Sequence, residues 1–209
     1  FIEGQGLDNL IEKKQKLSVE ETLHYLEQSA EALKYSHKKN ILHRDIKPAN
    51  IMITKENHAL LADFGLAKIV GSAENNESLN DSNEAPVSNN AYLTQQGSVV
   101  GTPHYLSPER IDGINDDKRS DIYALGMALY HCLTGAPPFI RNTVIEILNA
   151  HKFEEPTPLE QLLPNCPRDV IQIFKKSTAK RLEDRYLTID AMLESIKDIQ
   201  RAKERKREI

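Results

Sequence analysis

The spacing of hydrophobic positions predicts a long amphipathic helix near the start of the chain. Apolar residues recur every three or four positions from Leu23 to Leu33, so they share one face of a helix that runs to about Tyr35. Ser18 is followed three residues later by Glu21, and this capping-box spacing lets both side chains bond the free backbone N–H groups of a helix start. The polar sequence SHKKN then ends the pattern.

Two short apolar runs after this helix predict a small β-hairpin. Residues 50–54 read NIMIT and residues 59–63 read ALLAD, with a polar stretch between them. Farther on, residues 121–133 are apolar on nearly every face, which predicts a helix at the centre of a domain, and Gly135 is its expected C-terminal stop.

Shorter helical patterns complete the predicted elements. They cover residues of about 142–151 and 167–179, and a last amphipathic helix carries Ile189, Ile196 and Ile199 on one face. We therefore expect a mainly α-helical fold, a helical bundle with one small β-hairpin.

Composition and charge narrow the class of protein. Of 209 residues, 39% are hydrophobic and 28% charged, and the formal net charge is −4, which is typical of one soluble domain and argues against nucleic-acid binding or a disordered chain. No apolar run reaches the roughly 18–20 residues of a membrane helix, and the first residues lack a signal-peptide pattern. Cys132 and Cys166 do not have the spacing of a zinc site or a disulfide framework, so a reducing cytoplasm is the expected compartment.

One segment differs in character from the rest of the chain. Residues 71–98 are rich in Asn, Ser and Glu and almost free of aliphatic side chains, so we expect a mobile loop there.

The strongest functional pattern is the octapeptide HRDIKPAN at residues 43–50, between the long helix and the hairpin. It precedes DFG at residues 63–65, GTPHYLSPE at residues 101–109 and SDIYALG at residues 120–126. In this order and spacing the four motifs resemble the signature of protein kinases, and most closely that of bacterial-type serine/threonine kinases. The resemblance implies the C-terminal lobe of a protein kinase, which transfers the γ-phosphate of ATP to a protein Ser or Thr hydroxyl with the help of Mg²⁺.

The resemblance also implies roles for individual residues. Asp45 resembles the catalytic Asp that orients the acceptor hydroxyl and takes its proton, and Lys47 is placed to put positive charge beside the γ-phosphate. Asn50 and Asp63 resemble the Mg²⁺ ligands, since both supply the hard oxygen donors that this cation prefers. The remaining implied contacts are Thr102 with Asp45 and Lys47, the backbone of Ile2 with adenine, and Met52 as the floor of the adenine pocket.

Other matching residues are implied to be supports. Asp121 resembles the residue that accepts hydrogen bonds from the catalytic-loop backbone, and Glu109 resembles an acid that pairs with an Arg, here Arg185. His43 is expected to pack under Phe64.

The resemblance also points to control of the activation segment, residues 63–109. Phosphate on Thr94, Ser98 or a nearby hydroxyl is expected to pair with Arg44 and order the segment. A tolerated surface insertion is the alternative interpretation of residues 71–98.

The chain departs from the family pattern before residue 43. The glycine-rich phosphate loop, the strand Lys and the helix Glu of an N-terminal lobe are missing. The glycines of EGQG (residues 3–6) follow the expected hinge and do not follow a strand, as those of a phosphate loop would. We therefore expect that lobe to lie upstream in cis. Where many kinases have a ribose-binding carboxylate this chain has Gly6, for which Asp8 is the nearest substitute.

The predicted boundaries are a C-terminal lobe over residues 1–200 and a basic tail over residues 201–209. The tail fits either a solvated helix end or a segment that leads to a membrane anchor outside this chain, in the inner membrane. A homodimer is a further expectation.

Three functions remain open on the sequence. The first is the lobe of an active Ser/Thr kinase, and the second is a pseudokinase or docking scaffold that does not transfer phosphate. The third is another phosphotransferase of related fold, against which GTPHYLSPE argues because it resembles the peptide-substrate platform of protein kinases.

Overall fold

Eight α-helices, one of them central, form most of the part of the chain that a computed structural model describes, namely residues 4–63, 68–69, 103–114 and 117–207. Short 3-10 turns lie at Pro48–Asn50, Pro103–Tyr105 and Leu182–Asp184. The described helices are α1 (Leu7–Lys14), α2 (Val19–Lys38), α3 (Pro108–Ile111), α4 (Arg119–Thr134), α5 (Val144–Phe153), α6 (Leu159–Leu162), α7 (Arg168–Ser177) and α8 (Ile189–Arg207). The prediction of a mainly helical fold is confirmed.

Helix α2 begins as its capping box requires. The Ser18 hydroxyl accepts a hydrogen bond from the Glu21 backbone N–H at 3.1 Å, and the Glu21 carboxylate accepts one from the Ser18 N–H at 3.1 Å. Its stripe of Leu23, Leu26 and Leu33 is buried in the main core. The predicted helix is confirmed and extends three residues beyond its expected end, to Lys38.

Helix α4 is the predicted central helix, with its apolar side chains buried on nearly all sides. A Cβ atom on Gly126 would lie 2.2 Å from the Ser177 hydroxyl, so glycine is what lets α4 pack closely on α7. Gly135 ends α4 in the left-handed conformation, at a φ of 85°, as expected of a helix C-cap.

The described strands form two small antiparallel sheets. The three-stranded antiparallel sheet has the order β1 (Gly4–Gly6), β3 (Ile51–Thr54) and β4 (Ala59–Leu61), and β2 (Ile41–Leu42) pairs with β5 (Lys68–Ile69). The predicted hairpin is confirmed as β3 and β4.

Strand β1 was not predicted from the sequence, and in it Gly4–Gly6 pair with β3. A Cβ atom on Gly4 would lie 2.5 Å from the Ile53 carbonyl oxygen, so this pairing depends on a residue without a side chain. Glycines carry no alternation of apolar and polar side chains, and this is why the sequence did not show the strand.

The last described residues belong to a helix. Helix α8 runs without a break to Arg207, across the predicted boundary at residue 200, and Lys203 forms an ion pair with Glu20. Among the described residues, no helix combines the length and the apolar character needed to cross a bilayer.

Several predictions fall outside the described residues. These are the roles of Ile2, Phe64 and Thr102, the loop at residues 71–98 and its phosphate acceptors.

Candidate active site

One buried carboxylate of α4 holds the loop between β2 and β3 by hydrogen bonds to its backbone. Asp121, 1% exposed in the first turn of α4, accepts hydrogen bonds from the backbone N–H groups of His43 at 3.0 Å and Arg44 at 2.9 Å. His37 Nε2 lies 2.8 Å from the same carboxylate. Burial acts to raise the pKa of Asp121, but these hydrogen bonds outweigh burial and hold its pKa below the usual value. The expected hydrogen bonds from the backbone of this loop to Asp121 are confirmed.

Three of the predicted site residues meet on this loop. Lys47 Nζ lies 2.8 Å from Asp45 Oδ2, and the Asn50 amide nitrogen donates to the same oxygen at 2.8 Å. The Asn50 amide also donates to the Asp45 backbone carbonyl at 2.8 Å, which closes the loop on itself. The side chains of Asp45 and Lys47 are 22% and 19% exposed, so a reactant can reach them.

Asp63 is held next to these residues by the end of β4. The Ala62 N–H donates to the Asn50 carbonyl at 2.9 Å, and the ring of His43 donates from Nε2 to the Ala62 carbonyl at 2.9 Å. Asp63 follows with a left-handed φ of 59° and an exposed side chain. Burial lowers the pKa of His43, and the hydrogen bond of its ring to the Ala62 carbonyl supports this corner.

Asn50 and Asp63 fit a divalent cation that is shared with phosphates. The Asn50 nitrogen faces Asp45, so its amide oxygen remains as a ligand, and the exposed Asp63 carboxylate supplies further hard oxygens. Within the described ranges no group of three or more His, Cys, Asp or Glu side chains converges on one point. Such a pair matches Mg²⁺ in particular, because this ion takes one or two protein oxygens and substrate phosphates in place of an all-protein cage.

The expected floor of the adenine pocket, Met52, lies on β3. Ile51 and Ile53 are buried in the core, whereas Met52 is half-buried and pairs with Gly6 in register. Met52 therefore lies on the opposite face from the core, two positions from Asn50 along the strand. This placement is compatible with the expected adenine floor.

A second charged pair, Glu109 with Arg185, is buried in the protein. Arg185 donates to both carboxylate oxygens of Glu109, at 2.7 and 2.8 Å, and Ser120 donates to Glu109 at 2.9 Å. The two charged side chains are 0% and 5% exposed. The predicted Glu109–Arg185 pair is confirmed.

Comparison with known proteins agrees with this geometry. The family model described as the protein kinase domain matches residues 1–196. The chain belongs to the protein kinase family. In a search of curated proteins, this kinase-family chain is 33% identical over 192 residues to serine/threonine-protein kinase PknB of Mycobacterium leprae, a match that covers 92% of the chain and 28% of that protein.

Two further relatives carry similar names. A probable serine/threonine-protein kinase of Streptomyces coelicolor is 34% identical over 192 residues, covering 92% of the chain and 26% of that protein. One of Clostridium acetobutylicum is 32% identical over 199 residues, covering 95% of the chain and 28% of that protein. The kinase-family chain thus spans little more than a quarter of the length of these relatives.

Some contacts between distant residues were missed by sequence reasoning. His37 binds Asp121 from the C-terminal end of α2, and Arg110 donates a hydrogen bond to the Arg44 carbonyl. The Tyr105 hydroxyl lies 2.7 Å from His131 Nδ1. These contacts join residues far apart in the chain, and no local pattern marks them.

Proposed function

We propose that this chain is the C-terminal lobe of a serine/threonine protein kinase, which transfers the γ-phosphate of ATP to a Ser or Thr hydroxyl of a protein. The observation that carries the proposal is the cluster of Asp45, Lys47 and Asn50 on a loop that Asp121 fixes. The names of the curated relatives support the same activity.

Asp45 is the group that we assign to the acceptor hydroxyl. Its Oδ2 atom contacts Lys47 and Asn50, so Oδ1 is the oxygen we assign to orienting the hydroxyl and taking its proton. Fixing the carboxylate from two sides reduces the entropy lost when the acceptor aligns with the phosphate.

Lys47 supplies the positive charge at the point of transfer. Its ammonium group stays within 2.8 Å of Asp45 and is only partly exposed, so its charge is less screened than that of a surface lysine. Preorganised charge of this kind is an effective way to stabilise developing negative charge on phosphate oxygens.

The metal ligands in this proposal are Asn50 and Asp63. A bound Mg²⁺ would neutralise phosphate charge and orient the nucleotide. The protein contributes by holding both ligands through the Ala62–Asn50 hydrogen bond and the His43 ring.

The remaining assignments extend the proposal to residues beyond this cluster. Met52 would floor the adenine pocket, Ile2 would meet the base through its backbone, and Thr102 would contact Asp45 and Lys47. A protein substrate, an N-terminal lobe in cis, control through phosphate on the segment at 71–98, a homodimer and a membrane anchor outside this chain stay predictions of the sequence.

Phosphate transfer by the full-length protein tests the proposal. With labelled ATP, Mg²⁺ and a Ser/Thr peptide, we expect labelled phosphoserine or phosphothreonine, and Asp63→Asn should reduce the rate by at least about a hundredfold. Asn tolerates a positive φ, so the backbone at residue 63 should not change. The matched control is Asp112→Asn, which removes an exposed carboxylate that pairs with Lys152 and should leave the rate unchanged.

Each other outcome has a clear meaning. A wild-type protein that binds nucleotide but transfers no phosphate would support the scaffold alternative, and full activity of Asp63→Asn would contradict the assignment of the metal ligands. Label on tyrosine alone would contradict the acceptor class.

A further inference from the structure

Arg110, in α3, binds the backbone of the catalytic loop. Its guanidinium donates a hydrogen bond from Nη1 to the carbonyl oxygen of Arg44, although the two residues are 66 positions apart in the chain. This carbonyl belongs to the peptide bond that joins Arg44 to Asp45. Arg110 therefore acts on the peptide group that directly precedes the residue we assign to the acceptor hydroxyl.

The backbone at Arg44 has a conformation that a residue with a Cβ atom rarely adopts. Its φ is 68°, in the left-handed region, and such a conformation persists only where the surrounding structure holds it. Two charged side chains do so here. Asp121 of α4 accepts a hydrogen bond from the Arg44 N–H at 2.9 Å, and Arg110 of α3 donates one to the Arg44 carbonyl. The peptide groups before and after Arg44 are thus each fixed by a different helix.

Arg110 is itself held in place. It is 7% exposed, and its neighbour Glu109 is the acid that Arg185 binds through both oxygens. A charged donor forms a stronger hydrogen bond than a neutral one, and a donor that is fixed in advance loses little entropy when it acts. The buried guanidinium is therefore suited to keep the Arg44 carbonyl in one orientation.

The orientation of this peptide group determines where the Asp45 side chain points. The Asp45 Oδ2 atom lies 2.8 Å from both Lys47 Nζ and the Asn50 amide nitrogen. Rotation of the Arg44–Asp45 peptide would turn the carboxylate away from these two groups and move Oδ1, the oxygen assigned to the acceptor hydroxyl. A displacement of about 1 Å at a reacting group can cost about a hundredfold in rate.

We propose that Arg110 is a positioning residue for phosphate transfer, which holds the Arg44–Asp45 peptide in the orientation that presents the Asp45 carboxylate to the acceptor hydroxyl. The proposal rests on the proposed function of Asp45. Arg110 follows GTPHYLSPE and belongs to none of the four motifs on which the resemblance to protein kinases depends. It acts through the backbone of the loop and not by contact with a reactant.

The test compares Arg110→Met and Arg110→Lys with the wild type in the full-length protein. Calorimetry with ADP and Mg²⁺ gives the Kd and the fraction of chains that bind nucleotide, and the single-turnover rate of transfer to a Ser/Thr peptide is counted per binding chain. We expect Arg110→Met to lower this rate about tenfold or more and to change the Kd for ADP less than about twofold, because Asn50 and Asp63 are untouched. Arg110→Lys should transfer faster than Arg110→Met, since an ammonium can donate the one bond that the carbonyl accepts.

Two further variants provide a control and test the route. Arg181→Met removes a guanidinium from the surface and should change neither the rate nor the Kd. Arg44→Asn places at residue 44 a side chain that tolerates a positive φ, so the loop should depend less on Arg110 in this background. Arg110→Met should then lower the rate at least about threefold less than it does in the wild type.

The outcomes separate this inference from the proposed function. In an active wild type, the inference alone is overturned if Arg110→Met keeps the rate, or if its loss disappears once the rate is counted per binding chain. Equal rates for Arg110→Met and Arg110→Lys, or an effect of Arg110→Met that Arg44→Asn does not reduce, would overturn it as well. A wild type that transfers no phosphate would overturn the proposed function and this inference with it.

Discussion

Two carboxylate–cation pairs of almost the same length have opposite surroundings in this protein. Asp45 and Lys47 are 2.8 Å apart with about a fifth of each side chain exposed, whereas Glu109 and Arg185 are 2.7 Å apart and enclosed. The two pairs have nearly the same separation between their charges. They differ in their remaining hydrogen bonds and in their access to solvent.

The charged groups of the enclosed pair make their hydrogen bonds to groups inside the protein. Arg185 donates to both Glu109 oxygens and to the Ala179 carbonyl at 2.6 Å, and its guanidinium lies 4.7 Å from the centre of the Tyr123 ring. The Asp45 carboxylate contacts Lys47 and Asn50 through one oxygen and keeps a face toward solvent. The comparison teaches that the Glu109–Arg185 pair ties α3 to the chain between α7 and α8, whereas the Asp45–Lys47 pair remains accessible to a reactant.

Breaking the enclosed pair should have the largest effect on stability. Arg185→Met leaves the Glu109 charge buried without its partner, which costs about 3–5 kcal/mol in comparable cases. Chemical denaturation would show this loss as a lower midpoint with an unchanged slope.

An exposed pair of the same chemistry is the control for Arg185. Arg181 pairs with Glu183 on the surface, where both side chains are more than half exposed. Arg181→Met should give no measurable change in the unfolding midpoint. Equal effects of the two substitutions would show that the enclosed pair is not the structural support that we describe.

Asp121→Asn should affect both stability and activity, because Asp121 links the catalytic loop to α4. An amide has only one acceptor oxygen for the two backbone N–H groups of His43 and Arg44, so one buried donor loses its partner at a cost of roughly 1–3 kcal/mol. The displaced loop should lower phosphate transfer about a hundredfold.

The control for Asp121→Asn is Asp117→Asn. Asp117 lies just before the same helix and forms a partly exposed ion pair with Arg119. This substitution should change transfer little. Unchanged transfer in Asp121→Asn would show that the loop keeps its position without this carboxylate.

Acid should weaken the enclosed pair by a smaller, graded amount. Burial acts to raise the pKa of Glu109, but the hydrogen bonds and charge of Arg185 outweigh burial and hold the pKa below its usual value. The unfolded state therefore binds the proton first as pH falls below the ordinary glutamate pKa of about 4.3, so the contribution of Glu109 to stability is full above that pH and lost below it.

The matched variant for this pH effect is Glu109→Gln combined with Arg185→Met, which removes both charges. Its free energy of unfolding should fall less steeply with acid than that of the wild type. Identical slopes below pH 5 would contradict the assigned direction of the Glu109 pKa.

Two kinds of signal in the sequence predicted parts of this structure: local patterns and the resemblance to protein kinases. The capping box at Ser18 and the apolar face of α4 are short-range signals, and both elements form as expected. The Glu109–Arg185 pair lies 76 residues apart in the chain and was implied only by resemblance to protein kinases.

What the sequence did not predict depends on contacts made after folding. Strand β1 pairs with β3 through a close approach of the two backbones, which the glycine at residue 4 permits. His37 reaches Asp121 only because α2 and α4 pack side by side. No spacing along the chain contains either fact.

The most direct test of the contrast between the two pairs is Asp45→Asn in the full-length protein, with phosphate transfer and chemical denaturation measured on the same preparation. The amide keeps an acceptor for Asn50 and Lys47 but cannot take the proton of the acceptor hydroxyl. We expect transfer to fall about 10²- to 10⁴-fold and the free energy of unfolding to change by less than about 1 kcal/mol. Undiminished transfer, or a loss of stability as large as that of Arg185→Met, would contradict the assignment of Asp45 to chemistry.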